Sequence, residues 1–454
     1  MRRIARFCYS ASIPIIILVA IINITALVSF FRFSLDTDFL NFFTSDNIRA
    51  EEFDRLNEKY KTGEAISILI EQNDSLLDKE NLLKVFKLQE EIEALDGISQ
   101  VDSYLPSEIF VGKQVFQVDE KFIERHHDTL EDYIEENDIF TGQFLSDGNS
   151  KAVLIANLEL DAITGEVVES LEGIADSEKN WTLSLAGNEI IKETLSDYFT
   201  RIILILPPAA VLLLLVVFSL ILKSRKFTII SIIPAGFGAL WTLGTVFWTG
   251  QELNVLTVVT PIFIIVMGAA DGLHYSSHFI DNMSQFTDRQ QLTEETLDMV
   301  GMPIFLTTIT TIAGFASLTW TQVPAMRQMG IFVSLGIGYA GLLSLFFLPA
   351  VLSRIKLPSE LPASGESNLS RFILTASKRK GLILAGLLAI ILISLFTIPR
   401  LEVVSDQLMF FKESSPIRQT FDKVDKYFGG AMPLTAEIVA DRGGEYFERP
   451  QICR

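Results

Sequence analysis

Charged residues, cysteine and histidine are all scarce in this chain of 454 residues. Only 20% of the residues are charged, 49% are hydrophobic, and the mean hydropathy is +0.36. A soluble protein carries more surface charge than this, and the same numbers exclude disordered, collagen-like and coiled-coil classes. The two cysteines, Cys8 and Cys453, exclude a disulfide scaffold and fit no zinc-binding spacing. The net charge of −19 argues against nucleic acid as a partner.

The charge is distributed unevenly along the chain. Residues 33–200 contain 38 Asp and Glu against 13 Lys and Arg, which gives this segment a net charge of −25. The rest of the chain contains 24 basic and 18 acidic residues, a net charge of +6. We therefore expect one acidic, water-exposed domain inserted into an otherwise apolar and mildly basic chain.

Seven apolar stretches are long enough to cross a bilayer, which takes about 20 mostly apolar residues in a helix. A single stretch of this kind can be a buried helix of a soluble protein, but seven indicate a polytopic membrane protein. The first stretch resembles a secretory signal, but it is long and lacks a small-residue cleavage site, so we interpret it as an uncleaved span. The predicted spans are residues 13–31, 202–222, 228–248, 255–279, 303–321, 330–352 and 381–398.

Basic residues predict the orientation, because Lys and Arg are enriched in cytoplasmic loops. They precede span one, separate spans two and three, and separate spans six and seven, and these segments share one side if all seven spans are real. We therefore predict a cytoplasmic N-terminus and place residues 33–200 outside the inner membrane. The basic residues are Arg2, Arg3, Arg6, Lys223, Arg225, Lys226, Arg354, Lys356, Arg371, Lys378, Arg379 and Lys380.

The acidic segment predicts a mixed α+β domain with two β-α-β passes, an arrangement that suits ferredoxin-like subdomains. Turn residues at 146–150 predict a hairpin between two of its strands. His126 and His127 fall on a polar helix, where adjacent residues do not share a face, so we expect solvated histidines rather than a metal site. Strands are expected at 65–71, 98–104, 140–145, 151–160 and 181–186, and helices at 76–95, 120–137 and 164–176.

A series of short motifs recurs after spans one and seven. Each copy has a Leu-acidic pair followed by Phe-Phe, Ile-Arg, Phe-Asp and Lys-Tyr, starting at Leu35 and at Leu401. Chance similarity between amphipathic helices is one explanation. The other is a duplicated architecture of parallel repeats, as in transporters, whose second copy would break off at Arg454 inside its external domain.

Span four contains the candidate functional residues. Asp271 is the one acidic residue deep inside a predicted span, and a charged Asp at a helix centre costs about 2.5–3.5 kcal/mol. Residues three and four apart share a helix face, so a polar stripe is predicted around it. Glycines beside the stripe would let a neighbouring helix approach closely. The stripe is Asp271, His274, Tyr275 and His278, and the glycines are Gly268 and Gly272.

Three interpretations of this stripe stay open at this point. It is a proton relay, in which Asp271 binds and releases H⁺ and His274 or Tyr275 tunes it. It is a metal site, although three ligands on one helix face need a partner helix and no other span offers Cys, His, Asp or Glu. Or Asp271 is satisfied structurally, with His274 and His278 near the cytoplasmic interface.

Span five is rich in threonine and small residues. Thr307, Thr308 and Thr311, followed by Gly314, supply hydroxyls and small faces for close helix packing and interhelical hydrogen bonds. We expect them to pack around the relay, although tight packing alone explains them equally well. Pro303 is predicted to lie in the first turn of this helix.

These motifs together resemble the resistance–nodulation–division (RND) superfamily, in its MMPL and hydrophobe/amphiphile efflux branch. The resemblance rests on Gly-x-x-Asp-x-x-His in span four, on the threonine-rich run that continues into 313–318, and on the Leu-Pro-Ala-Val-Leu at 348–352. One span, a large external loop and five further spans follow in the same order, so most of the chain is covered.

The resemblance implies a proton-driven exporter of lipids or other amphiphiles with twelve spans, two external porter domains and a sterol-sensing-like bundle in spans two to six. It assigns the proton-carrying acid to Asp271, with His274 and Tyr275 less firmly in the relay. The family places its proton site between spans four and ten. Spans eight to twelve do not occur here, so the chain is expected to be an incomplete N-terminal portion that does not transport alone.

We therefore predict a polytopic α-helical membrane protein with an extracytoplasmic α+β porter domain, which exports hydrophobic or amphiphilic molecules. The alternative is a non-transporting lipid sensor or scaffold, or an inactive truncated product. Expected partners are membrane lipids, the substrate, and a homo-oligomer or a separate C-terminal half. No nucleotide motif or nucleophile–base pair is present in the sequence, so we expect no enzyme, cofactor or metal. The predicted domains are 1–32 (first span), 33–200 (porter), 201–353 (spans two to six), 354–380 (cytoplasmic linker), 381–399 (span seven) and 400–454 (start of a second porter domain).

Overall fold

The protein divides into two compact units. The helical unit comprises Met1–Ser45 and Ser196–Ser405, and the sheet unit comprises Asp46–Leu195 and Asp406–Arg454. The computed structural model describes residues 1–36, 64–111, 114–159, 162–179, 181–286, 288–355, 380–401 and 407–430, together with Arg55 and Lys59.

Helices dominate the described part of the chain, and strands are confined to the sheet unit. The helices are α1 (Arg2–Ser10), α2 (Ser12–Val28), α3 (Lys79–Glu93), α4 (Glu120–Glu135), α5 (Thr164–Ser177), α6 (Asn188–Leu222), α7 (Arg225–Trp248), α8 (Thr260–Asn282), α9 (Arg289–Ala316), α10 (Pro324–Leu342), α11 (Leu348–Leu352), α12 (Lys380–Thr397) and α13 (Pro416–Phe428). The strands are β1 (Ala65–Glu71), β2 (Ile98–Asp102), β3 (Glu108–Val111), β4 (Gln114–Gln117), β5 (Lys151–Leu158) and β6 (Thr182–Ala186).

Seven helices of the described residues are long and apolar enough to cross a membrane, which confirms the prediction of a polytopic membrane protein. Most residues on their outward faces are apolar, which suits a lipid-facing surface because hydrocarbon offers no partner for polar groups. The candidate spans are Ser12–Arg32, Asn188–Leu222, Arg225–Trp248, Thr257–Asn282, Arg289–Trp320, Pro324–Leu352 and Ile383–Arg400.

The sheet unit is built on a four-stranded antiparallel sheet in the order β2-β5-β1-β6. β1 is its most deeply buried strand, because Ala65 to Ile70 are all buried and only Glu71 is half-buried. The helices α3 and α5 connect β1 to β2 and β5 to β6, and together with α4 they contribute buried apolar residues to the core. The strands predicted at 65–71 and 181–186 and the helix at 164–176 lie within a residue of those observed.

The predicted hairpin at residues 140–160 is wrong in its first half. Residues 140–145 form tight turns, in which Gly142 adopts a positive φ of 84°, and only Leu145 bridges to Ala152. β2 pairs only with residues 155–158 of β5, and Leu145 meets the rest of that edge at Ala152, so residues 140–145 add a single bridge rather than a strand. A hairpin that was not predicted, β3–β4, forms a separate two-stranded sheet.

The span-five helix begins earlier than predicted, and the placement of Pro303 is wrong. α9 starts at Arg289, where the side chain of Asp288 caps it by accepting a hydrogen bond from the Gln291 amide. Pro303 therefore lies in the interior of α9 rather than in its first turn. The polar segment before Pro303 is helical because Leu292, Leu297 and other residues on one of its faces are buried against neighbouring helices.

The segment after span seven contributes a helix to the sheet unit. α13 packs against β6, and Lys423 on α13 forms an ion pair with Glu71 on β1, which also pairs with Lys151 at 2.7 Å. The second copy of the predicted repeat thus includes a described helix. Most of the first copy and residues 431–454 lie outside the described residues, so the repeat and the second porter domain stay predictions.

Candidate functional site

A hydrogen-bonded turn at Asn254 leads into the helix that carries Asp271. The Asn254 side chain accepts hydrogen bonds from the amides of Leu256 and Thr257, both at 3.0 Å, and the Thr257 hydroxyl accepts one from the Asn254 amide at 2.7 Å. Pro261 follows in the first turn of α8, where its missing N–H costs no helical hydrogen bond. Asp271 then falls at the middle of α8, about 16 Å from its first residue.

One face of α8 packs unusually closely against its neighbours. A Cβ added at Gly272 would lie 1.9 Å from the carbonyl oxygen of Ser231 on α7, and one at Gly268 would lie 2.7 Å from Ala340 on α10. Only glycine fits at these two positions, because any side chain would overlap the adjacent helix. The contact orients α8 so that its other face, with Asp271, turns toward α9.

Two threonines of α9 meet the carboxylate of Asp271. The hydroxyl of Thr307 lies 3.4 Å from Oδ1, and that of Thr308 lies 3.3 Å from Oδ2. Asp271 is half-buried, and among the described residues no Lys or Arg pairs with it. Hydrogen bonds to a charged group stabilise it by about 1.5–3 kcal/mol at normal length, so the two hydroxyls offset part of the cost of a carboxylate inside a span.

A cavity of about 160 Å³ opens beside the carboxylate. Its polar wall belongs to α8 and its mostly apolar wall to α9, so the cavity is a crevice between two spanning helices. Of the α9 wall, Thr307 was predicted as a site residue, whereas Met299, Val300, Pro303 and Ile304 were not, although the amphipathic pattern before Pro303 could have located the first two. The lining residues are Asp271, His274, His278, Met299, Val300, Pro303, Ile304 and Thr307.

The structure brings two of the predicted polar residues to Asp271 and separates a third from it. His274 and His278 line the cavity, and His274 is exposed on the face of α8 that carries the carboxylate. Tyr275 is fully buried instead and is not part of the cavity wall. Its ring stacks on that of Phe279, with the two ring centroids 6.2 Å apart. Its role in the relay stays a prediction, and any such role would be indirect.

Of the three threonines predicted to pack around Asp271, two contact its carboxylate and one does not. Thr307 and Thr308 reach Asp271, and Thr308 also fills the notch at Gly341 of α10, where an added Cβ would lie 2.5 Å from its methyl group. Thr311 donates to the carbonyl oxygen of Thr307 at 2.7 Å, within its own helix. Thr311 thus contributes packing surface one turn away rather than a contact to the carboxylate.

The histidine of the sheet unit with close acidic neighbours is His127. Its Nδ1 lies 2.7 Å from Asp128 and its Nε2 lies 3.6 Å from Glu131, so both ring nitrogens face carboxylates of the same exposed helix. Each ring nitrogen of His127 thus faces one carboxylate. The three side chains form an ion-pair cluster on the surface rather than a closed metal site.

The comparisons with known proteins point to one family. The sequence model of the MMPL family matches residues 50–382, which include α8, α9 and the whole cavity. The chain is 21% identical over 382 residues to a membrane protein of Methanocaldococcus jannaschii, a match that covers 78% of this chain and 93% of that protein.

Two further relatives share a shorter stretch. Protein dispatched homolog 3 of Mus musculus is 32% identical, and that of Gallus gallus 30% identical, over 105 residues that make up 22% of this chain. The chain spans only 8% of the length of each of these two relatives. With the family match over most of its length and seven candidate spans, the chain belongs to the MMPL family of membrane proteins.

Proposed function

We propose that this protein exports lipids or other hydrophobic or amphiphilic molecules across the inner membrane, driven by the proton-motive force, with Asp271 as the proton-carrying group. The observation that carries the proposal is a carboxylate at the middle of a spanning helix, held by two hydroxyls and open to a cavity. An ionisable residue at this depth is costly to insert and is a functional candidate by default.

The hydroxyl contacts suit a group that changes charge. The Thr308 hydroxyl lies 2.8 Å from the Ile304 carbonyl oxygen as well as 3.3 Å from Asp271, and it has one hydrogen to share between them. It donates to the carboxylate when Asp271 is ionised and to the carbonyl when Asp271 is protonated. α8 and α9 are therefore held together differently in the two protonation states, which is the minimum that coupling requires.

The driving force is adequate for transport. A proton crossing the whole membrane potential releases about 2.3 kcal/mol per 100 mV, before any contribution from a pH difference. Asp271, about halfway along α8, divides that path into an outer and an inner part. We place the N-terminus in the cytoplasm and residues 33–200 outside, as the basic loops predict.

The sheet unit fits the part of a porter domain. Its strand order β2-β5-β1-β6, with α3 and α5 as the connections, is the order of a ferredoxin-like βαββαβ unit in which β3, β4 and α4 are an insertion. The β3–β4 hairpin exposes Phe110, Val111 and Val115, apolar side chains that suit contact with an amphiphilic substrate.

A second membrane unit completes the site in this proposal. Ala270, His274 and Thr307 lie on an exposed face of the spans beside Asp271, and polar side chains are expensive where they face lipid. A second copy of this chain, or a separate C-terminal half, would cover that face. Spans two to six form the sterol-sensing-like bundle of the proposal, in which no cofactor, metal or enzymatic step takes part.

The test is export of a fluorescent amphiphile from cells that express the full chain, with and without a protonophore. We expect protonophore-sensitive export that Asp271→Asn abolishes at equal membrane abundance, because Asn keeps the size and the hydrogen bonds but cannot ionise. Undiminished export by the Asn variant would overturn the proposal. Lipid binding without any export in either protein would favour the alternative, a non-transporting lipid sensor or scaffold.

A further inference from the structure

A carboxylate in the middle of a span needs a route by which it exchanges its proton with water. α8 ends at Asn282, about 16 Å beyond Asp271. That distance is too long for direct transfer from bulk water, so groups along the way must pass the proton. Of the four histidines in the chain, two lie on this stretch of α8.

The two histidines lie on the same side of α8 as the carboxylate. Asp271, His274 and His278 are three, four and seven residues apart, which places them on one helix face, and all three line the same cavity. His278 is two turns, about 10 Å, from Asp271 toward the end of the helix. The cavity of about 160 Å³ has room for several water molecules between these side chains.

Neither imidazole is engaged elsewhere. Within the ranges that the structure describes, His274 and His278 have no hydrogen-bond partner, whereas His127 in the sheet unit is held by Asp128. An imidazole that is free on both nitrogens can accept a proton on one and release a proton from the other. Histidine is the side chain best suited to do this near neutral pH.

We propose that His278 is the proton-exchange residue of this site, which transfers protons between water at the α8 C-terminal end and Asp271. The proposal rests on the proposed function, in which Asp271 takes up and releases H⁺. When the proton leaves Asp271, the carboxyl O–H bond breaks and an N–H bond forms on a ring nitrogen of His274. His274 then loses a proton to cavity water, which passes a proton on to a ring nitrogen of His278. The imidazolium of His278 gives up a proton to water at the helix end, and both histidines are neutral again.

Charged groups at this end of the bundle bear on that exchange. On its own helix His278 is followed by Asp281, and α9 and α7 pack against α8 on either side. The carboxylates of α9 are already paired with the arginines of α1, by contacts of 3.0 Å from Arg6 to Glu294 and from Arg2 to Asp298. The charged groups are Asp281 on α8, Arg289, Glu294, Glu295 and Asp298 on α9, Arg225 and Lys226 on α7, and Arg2 and Arg6 on α1.

The test follows Asp271 itself by time-resolved infrared spectroscopy after a rapid pH change, on the full chain in lipid. The carbonyl stretch of a protonated carboxyl group, assigned by its loss in Asp271→Asn, reports the protonation of Asp271. We expect His278→Asn and His278→Gln to keep the amplitude of this band and to slow its change by at least about tenfold. Added imidazole should restore the rate, because the cavity of about 160 Å³ has room for an imidazole molecule. His126→Asn, which alters a histidine of the sheet unit, is the matched control and should leave the rate unchanged.

Each outcome decides something different. Unchanged kinetics in both His278 variants, or a slow rate that imidazole does not restore, would overturn the role of His278 and leave the proposed function intact. A band that persists in Asp271→Asn, with no Asp271 signal at any pH, would overturn the proposed function itself.

Discussion

The hydroxyl of Thr308 on α9 lies 3.3 Å from Oδ2 of Asp271 on α8, and 2.8 Å from the carbonyl oxygen of Ile304 in its own helix. One hydroxyl hydrogen thus faces two acceptors, and in the proposed function the charge of Asp271 decides between them. Such a switch would link the protonation of one span to the hydrogen bonding of the next, and it can be tested one atom at a time.

Replacing Thr308 by Val keeps the shape that fills the notch at Gly341 and removes only the hydroxyl. We expect proton-coupled export to fall roughly tenfold, since a hydrogen bond to a charged group contributes about 1.5 kcal/mol or more. Thr308→Ser keeps the hydroxyl and loses the methyl group, so it should retain most of the activity. Equal activities of the Val and Ser variants in the export assay would show that the hydroxyl has no part in coupling.

The close contact between α7 and α8 predicts that alanine lowers the thermal stability at one glycine and not at another. Gly272→Ala forces a Cβ to within 1.9 Å of the Ser231 carbonyl oxygen, and such overpacking costs about 1–3 kcal/mol or more. The detergent-solubilised variant should therefore unfold at a clearly lower temperature than the native protein. Gly236→Ala on α7 meets no atom within 4 Å and should be neutral or slightly stabilising, because Ala favours helix. A thermal shift assay that found the two variants alike would contradict the packing described for α8.

Much of this site could be predicted from the sequence, because its signals are local. Asp271 is conspicuous in an apolar span, and the spacing of His274 and His278 follows from the helical period. The spans themselves follow from length and hydropathy. The position of Tyr275 depends on tertiary packing rather than on local sequence. The helical spacing places it beside Asp271, but packing against Phe279 buries it away from the cavity.

Tertiary context also explains the other differences. Pro303 reads as a helix start, yet α9 begins at Arg289 because the polar turns before the proline have an apolar face to bury. Residues 140–145 have the composition of a strand, but turn hydrogen bonds such as the one from the Leu145 amide to the Phe140 carbonyl hold them, and only one bridge to β5 forms. The packing of α13 against β6 joins segments that are distant in sequence. The pattern of a single sequence does not encode such contacts.

The ion-pair cluster of the sheet unit predicts acid sensitivity. Burial raises the pKa of Glu71, but hydrogen bonds from Lys151 and Lys423 outweigh this, and the net result is a pKa below the usual range. A carboxylate with a lowered folded-state pKa stabilises the fold above its unfolded-state value and loses that contribution as the pH falls through the folded-state value. The stability of the sheet unit should therefore decline as the pH falls below about 4.5.

Glu71→Gln should remove this part of the acid sensitivity and lower the stability at neutral pH by about 1–3 kcal/mol. The measurement is urea unfolding followed by the fluorescence of Trp181, which is buried in the sheet unit, in a background with Trp241→Phe, Trp248→Phe and Trp320→Phe. Glu80→Gln, which breaks only the exposed pair with Lys84, is the control and should change little. A Glu71→Gln protein with the native stability at every pH would refute the contribution of the cluster.

The proposed orientation predicts which positions an impermeant thiol reagent can reach. Asp147→Cys in the sheet unit should be labelled in intact spheroplasts, and Gln285→Cys, between α8 and α9, only after lysis. Native Cys8 can stay in place, because burial raises its pKa to about 12 and an unionised, inaccessible thiol does not react. Cys453→Ser removes the other cysteine. Labelling of position 147 only after lysis would show that the orientation is the opposite of the one proposed.

The most direct test of the central claim, that Asp271 carries the coupling proton, is proton flux into liposomes that contain the full chain and a trapped pH-sensitive dye. If a second copy completes the site, the purified chain is sufficient; otherwise the separate C-terminal half is reconstituted with it. Under an imposed pH gradient, we expect an amphiphilic substrate to accelerate dye acidification in the native protein, Asp271→Glu to retain part of that flux, and Asp271→Asn to remove it. Substrate-stimulated proton flux at the native rate in well-incorporated Asp271→Asn would contradict the account.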